Sequence, residues 1–247
     1  MRYLLFIFVV LALTSCKTVN LFMEPKSERN ADIISLDSTF FYNPDYQYKI
    51  RKDDKISISV WGQNDLGVGS VYGHYNSNEV YGKWLMVDAN GNIEAPKLGT
   101  FYVMNMTVIE LKDSLKTLFQ QWLVNPIIDV KVLNKEITVL GEVREPRVIP
   151  VDKDQNSLLE IISHCEGFAD YANLKYVKVL RPEGPHTIVA NIDLSQSGDY
   201  SYKNIQLHPG DVVIVPSKKN KEFDKRVSII IPFATAITAA AILIGLL

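Results

Sequence analysis

Apolar and polar positions alternate at Ile56, Ile58 and Val60 behind a turn at Lys52, Asp53 and Asp54, and a period of two predicts a half-buried strand ending at Val60. Residues 67–82 interrupt that pattern with Gly, Asn, Ser and Tyr. They read as a long loop, either a solvated connection or a surface whose aromatic and amide groups contact a sugar. Leu85, Met86 and Val87 on one side and Ile93 on the other flank Asp88 to Gly91, where Asn90 and Gly91 suit a tight turn, so a hairpin is expected there. Thr107 with Glu110 forms a capping box; Leu111, Leu115, Leu118 and Trp122 give one apolar helix face, and Pro126 forbids continuation. Alternation resumes at Ile128, Val130 and Val132.

A second unit starts at Glu136, with Ile137 and Val139, a turn at Gly141, Glu142 and Val143, and then Pro146, Val148 and Val151. Ser157 and Glu160 make another capping box, Leu158, Leu159, Ile161 and Ile162 its apolar face, and Gly167 occupies the place of a C-cap glycine. Strands are expected at 177–180, 187–192 and, after the turn His208 to Asp211, at 212–215. The pattern is that of an α+β fold made of two small mixed α/β units, each with one capped helix among strands. Residues 52–58 and 209–215 echo each other as turn, aspartate and strand, either as related copies or as common punctuation.

Both ends read as membrane elements. Arg2 precedes an apolar run at 4–13 that is too short to span a bilayer, which is signal-peptide grammar. The run ends at Leu13, Thr14, Ser15 and Cys16, which resembles the bacterial lipoprotein lipobox, so Cys16 is the expected acylated N-terminus of the mature chain. Residues 227–247 carry no charged side chain, and as a helix they would extend about 30 Å, the thickness of a bilayer core. On that helix Ser228, Thr235, Thr238 and Ala239 form a small, mildly polar side opposite Ile230, Phe233, Ile237 and Ile244. That side either lines a pore or makes a helix contact. Five basic residues (Lys218, Lys219, Lys221, Lys225, Arg226) against Glu222 and Asp224 precede it. On an exported chain this flank fits insertion from the periplasm into the outer membrane, or it is an ordinary solvated linker.

Charge narrows the function. With 26 basic and 28 acidic residues the chain is no basic nucleic-acid binder, and 47% hydrophobic residues exclude a disordered chain. Acylation of Cys16 leaves only Cys165, so no internal disulfide is available. His164 and Cys165, as helix neighbours, point about 100° apart and form no dyad. The other histidines, His74, His186 and His208, are scattered, no metal-ligand spacing or phosphate-cradling loop is present, and Asp53 with Asp54 suits backbone capping better than acid–base work. The sequence is read as a non-enzyme without a metal or cofactor.

Residues 48–61, 87–99, 139–150 and 207–216 resemble the outer-membrane polysaccharide export lipoproteins, the first two stretches their polysaccharide export domain and the last two the ends of their β-grasp soluble-ligand-binding domain. Asp53 and Arg147 stand where that family usually has glycine. The resemblance implies a signal peptide at 1–15, a tether at 16–45, an export domain at 46–134, a ligand-binding domain at 135–217, a basic linker at 218–226 and a C-terminal transmembrane helix at 227–247. It also implies a homo-oligomeric ring in the outer membrane with most of the chain in the periplasm, a polysaccharide as transported substrate, and an inner-membrane polysaccharide co-polymerase as partner. One ligand-binding unit implies a short periplasmic ring. The other reading is a membrane-tethered adaptor that binds a glycan or a partner and forms no pore; oligomeric state separates the two.

Overall fold

The expected alternation at 56–60 becomes β1 (Lys55–Val60) in a computed structural model that describes residues 37–61, 84–95, 97–195 and 204–225, with 227, 228, 231, 232, 235 and 239 beyond them. The segment 1–15, Cys16, most of the expected tether and the loop 67–82 lie outside the described residues. β1 is the central strand of a three-stranded antiparallel sheet between β2 (Leu85–Met86) and β5 (Ile128–Val132). Its register with β5 sets Ile56, Ile58 and Val60 opposite Val132, Val130 and Ile128, so six buried apolar side chains share one face. The other strands of this unit, β3 (Asn92–Ala95) and β4 (Gly99–Tyr102), pair with each other.

The turn before β3 forms as expected, but it does not close a hairpin. Asp88 accepts the amides of Asn90 and Asn92, both at 2.8 Å. Residues 85–86 bind the edge of β1 instead of β3, and the pairing continues through Val87, whose amide donates to the Asp54 carbonyl at 2.9 Å. The true hairpin is the next one, β3 with β4.

The first helix, α1 (Val108–Phe119), starts with the complete Thr107/Glu110 capping box. Its buried row is Leu111, Leu115 and Phe119, at i, i+4 and i+8. Leu118 is only partly buried and Trp122 is 53% exposed, its ring edge-on to Phe119 at 6.3 Å. The helix also ends at Phe119, well before Pro126, so the proline is not its stop.

The second unit holds β6 (Glu136–Gly141), β7 (Arg147–Pro150), β8 (Asn156–Ser157), α2 (Leu158–His164), β9 (Val177–Glu183), β10 (His186–Ile192), β11 (Gln206–Leu207) and β12 (Val212–Val215). Its sheet runs β10-β9-β12-β6-β7, antiparallel except for the central parallel pair β6 and β12, and β8 pairs with β11 apart from it. A five-stranded sheet with its first and last strands parallel at the centre, and one helix packed into its core, is the β-grasp arrangement. Leu158, Ile161 and Ile162 of α2 are buried, whereas Leu159 is exposed. Only half of the second capping box forms: Ser157 Oγ accepts the Glu160 amide at 3.2 Å, but the Glu160 carboxylate is bound by Lys153 Nζ at 2.6 Å. At the other end both Glu166 (φ +60°) and Gly167 (φ +85°) are left-handed, and the Gly167 amide reaches back to the Ile162 carbonyl at 3.0 Å, so the expected glycine ends the helix together with the residue before it.

Arg147 opens β7 as an ordinary strand residue, so the glycine it replaces is not needed there; Asp53 does take a positive φ, +66°.

The core of the second unit includes a residue from far outside it. A 3-10 turn, Ser38–Phe40, is capped by Asp37 and delivers Phe40, with 0% exposure, into the cluster formed by Ile137, Val139, Leu158, Val179 and Val213. Asn43 and Gln155 exchange two hydrogen bonds, 3.2 and 2.6 Å. Residues 37–45, read from the sequence as tether, are therefore attached to the second unit. A run of three adjacent aromatics, Phe40, Phe41 and Tyr42, carries neither a helical nor a strand period, which is why the pattern missed it.

Among the described residues no helix is long and apolar enough to cross a membrane. The described residues between 221 and 239 are helical, but most of the expected membrane helix 227–247, including Thr238, lies outside the described residues.

Phe40→Ala is expected to lower unfolding stability by about 3–5 kcal/mol, the usual cost of emptying a buried aromatic site. Urea denaturation measures it, and a loss below about 1 kcal/mol would show that the segment is not part of the core.

Candidate functional site at the joint between the two units

The echo between 52–58 and 209–215 is structural. In each copy a residue at positive φ, Asp53 at +66° or Gly210 at +95°, precedes an aspartate that is almost fully buried, Asp54 or Asp211. Each aspartate accepts the amide three residues back: Arg51 N to Asp54 at 2.7 Å, His208 N to Asp211 at 2.9 Å. The carboxylate thereby holds its turn closed, the capping role expected for Asp54.

The two carboxylates differ in what else they bind. Asp54 accepts the Tyr48 hydroxyl at 3.0 and 2.9 Å. Burial lifts its carboxyl above the usual range, and the hydrogen bonds from Arg51 and Tyr48 only partly oppose this. The same burial, beside Asp54, pushes the Tyr48 hydroxyl up. Asp211 instead faces a full charge. Arg181 Nε and Nη2 donate to it at 3.1 and 2.7 Å, with side chains 5% and 1% exposed. The remaining Arg181 donors reach the Gln206 carbonyl at 2.8 Å and the Thr39 carbonyl, and the guanidinium lies 4.3 Å over the Phe40 ring.

These two turns meet. Arg51 Nη1 donates to the Pro209 carbonyl at 3.3 Å; the φ of +95° at Gly210 suits glycine, and a Cβ there would also push on the flexible end of Arg51, 2.7 Å away. Tyr46 stacks on His208 with centroids 3.6 Å apart and planes 9° from parallel. Asp154 receives the Tyr48 amide at 3.1 Å and Lys135 Nζ at 2.9 Å. Asn134, the last residue of the first unit, accepts the Lys55 amide at 2.8 Å and donates to the Asp53 carbonyl at 3.1 Å, so the connection to the second unit leaves from a fixed point.

His208 is the titratable group at the centre of the joint. Burial, aided by the cations Arg181 and Arg51, pushes it down to about 4, and its Nε2 is buried without a hydrogen-bond partner, as suits a neutral ring. Burial also lifts the Tyr46 hydroxyl to about 12. Chemically the arrangement is a clasp: its two carboxylates and two guanidiniums are spent on main chain, on side chains of their own unit and, for Arg51, on the other unit. Among the described residues no group of three His, Cys, Asp or Glu could hold a metal.

The residues singled out from the sequence are not brought together here. Cys16 and Thr238 lie outside the described residues. Ser228, Thr235 and Ala239 are exposed, with the Ser228 and Thr235 hydroxyls donating to the carbonyls of Lys225 and Pro232 at 3.0 and 2.9 Å. Cys165 is buried and its thiol pushed up by that burial, while His164 is exposed, so the two do not cooperate. The joint itself was legible only in part. Arg181 follows Val177 and Val179 in the core-facing register of β9, and a charged residue there is the signal that a buried partner exists.

Residues 42–133 match the family model described as polysaccharide biosynthesis/export protein, and residues 135–215 match that of the SLBB domain. The residue between the matches is Asn134, whose side chain is bound to Lys55 and Asp53 of the first unit. No curated protein matches the chain.

Asp211→Asn leaves the Arg181 guanidinium buried without its counter-charge, and a loss of about 3–5 kcal/mol is expected on denaturation; a loss under about 1 kcal/mol would mean that Arg181 finds another anion. His208 adds a pH dependence of known sign. Its pKa is lower folded than unfolded, so between about 6.5 and 4 the unfolded chain binds more protons, and stability falls as pH falls through that window. The melting temperature of the wild type should therefore drop more from pH 7 to pH 4 than that of His208→Phe, which keeps the stack; equal drops would refute a neutral buried His208.

Proposed function

Because the chain belongs to the polysaccharide biosynthesis/export family, with an SLBB domain directly after its export domain, we propose that it is a lipid-anchored subunit of an oligomeric conduit that passes capsular or exopolysaccharide across the bacterial outer membrane. The joint is the observation that carries this reading. A ring needs subunits that keep one shape, and a turn pair clasped by Arg51, a stacked ring pair and the Tyr48 amide bound by Asp154 hold the two domains as one piece.

In this reading Cys16 carries the lipid, the two domains stand in the periplasm, and residues 227–247 enter the outer membrane. Ser228, Thr235, Thr238 and Ala239 then line a pore or pack against the next helix. The hydroxyls of Ser228 and Thr235 are satisfied within their own helix, which suits apolar surroundings. An inner-membrane co-polymerase delivers the polymer, and the conduit holds it weakly at many places, because tight binding at one place would stall transport. The protein guides and does not catalyse, and it needs no cofactor.

The test is the mass of the detergent-extracted protein, corrected for bound detergent, for the wild type, for a chain lacking residues 227–247, and for Cys16→Ala. A ring of several subunits is expected for the wild type, a smaller assembly for the truncated chain, and loss of the acyl mass for Cys16→Ala. A monomer at every concentration would replace the conduit by a tethered adaptor.

A further inference from the structure

The end of the second unit opposite the joint carries a second clasp. β6 and β12 run parallel away from the joint, and β6 spans six residues, about 20 Å. At its end Gly141 adopts φ +94°, and a Cβ there would stand 2.0 Å from the Val215 carbonyl oxygen, so only glycine lets the chain pass. The next amide, of Glu142, donates to that same carbonyl at 2.8 Å, and the Glu142 carbonyl accepts the Ala169 amide at 3.0 Å. The Glu142 side chain, 10% exposed, then receives the ammonium group of Lys221.

The chain between β12 and Lys221 is bound along its length. Asn173 N donates to the Pro216 carbonyl and Lys218 N to the Tyr171 carbonyl, each at 2.8 Å, on either side of a bridge between Ala172 and Ser217. Lys218 Nζ adds a bond to the Asp170 carbonyl at 3.1 Å, and a helical turn begins at residue 221. Lys218 and Lys221, counted in the sequence as part of a basic linker at 218–226, are thus committed to the second unit.

We propose that Glu142 is a positioning residue that fixes the point and the direction in which the C-terminal segment leaves the second unit. A nearly buried carboxylate at the end of the central strand pair, closing on the first turn of that segment, makes the exit a continuation of the sheet. The ladder at 216–218 aligns the chain, and the ion pair stops it from peeling away. Its consequence for export rests on the reading that residues 227–247 enter a membrane. The clasp does not, and a monomeric mass would sink the conduit while leaving the clasp standing.

Hydrogen exchange at the amides of residues 217–225 in the full-length protein tests the proposal, with wild type, Glu142→Ala, Lys221→Ala and the double variant. Each single variant is expected to exchange at least tenfold faster at Lys218 and at 221–225, with β9 amides unchanged. The double variant should be no faster than the faster single, because the two residues act as one pair. An increase of less than tenfold in the single variants, or multiplying increases in the double, overturns it. Lys221 is the more exposed partner, so its variant stays informative if Glu142→Ala lowers protection in β9 as well.

Discussion

A buried guanidinium cannot be left alone, and the requirement to satisfy Arg181 organises much of this structure. Its position faces the core of the β-grasp sheet, where an unpaired charge would cost several kcal/mol. It is met from three separate stretches of chain: the Thr39 carbonyl before the first domain, the Gln206 carbonyl of β11, and the carboxylate of Asp211. None of the three is near Arg181 in sequence, so the pair does not form until the second unit is assembled. Once formed, it orders the approach of Phe40 to the core and closes the turn at His208 to Asp211. That turn is the surface on which the first domain docks.

The first domain answers with the same device built from neutral parts. Asp54 caps its turn as Asp211 does, yet its partners are a hydroxyl and an amide, and its carboxyl is held above the usual range by burial. The difference follows from location. Asp211 sits beside a core-facing arginine, whereas Asp54 lies in a turn whose nearest cation, Arg51, is directed across the joint to Pro209. One aspartate is spent on the core of its unit and leaves its turn's carbonyl free for the other unit's arginine.

Periodicity and capping chemistry made the elements legible because they are local: both helices start where Thr107 and Ser157 say they do, the strands at β1 and β5 follow their alternation, and β12 follows its turn. What failed were the choices between partners. Asn90 and Gly91 do mark a turn, but whether Leu85 pairs forward with β3 or back with β1 depends on which edge is open, and no local signal states that. The apolar row of α1 likewise runs to Phe119 instead of Leu118 and Trp122, because the sheet beneath selects the row. Phe40 and Arg181 are the same lesson in the candidate site. One reads as linker and the other lies just past a strand expected at 177–180, and only assembly gives them partners.

The two clasps sit at opposite ends of one pair of parallel strands, and that placement gives the second unit a mechanical meaning. Glu136 and Asp211, which open the path along β6 and β12, lie at the joint: the Gly210 amide donates to the Glu136 carbonyl at 2.7 Å. Gly141 and Val215, which end it, lie where Glu142 binds Lys221. Between these ends the connection is a hydrogen-bonded ladder buried in a sheet, the least compliant link a small domain can offer. A β-grasp fold used to bind a soluble ligand would be expected to spend its polar groups on that ligand. Here the polar groups at both ends of the central strands are spent on other parts of the same chain, which is the arrangement of a strut.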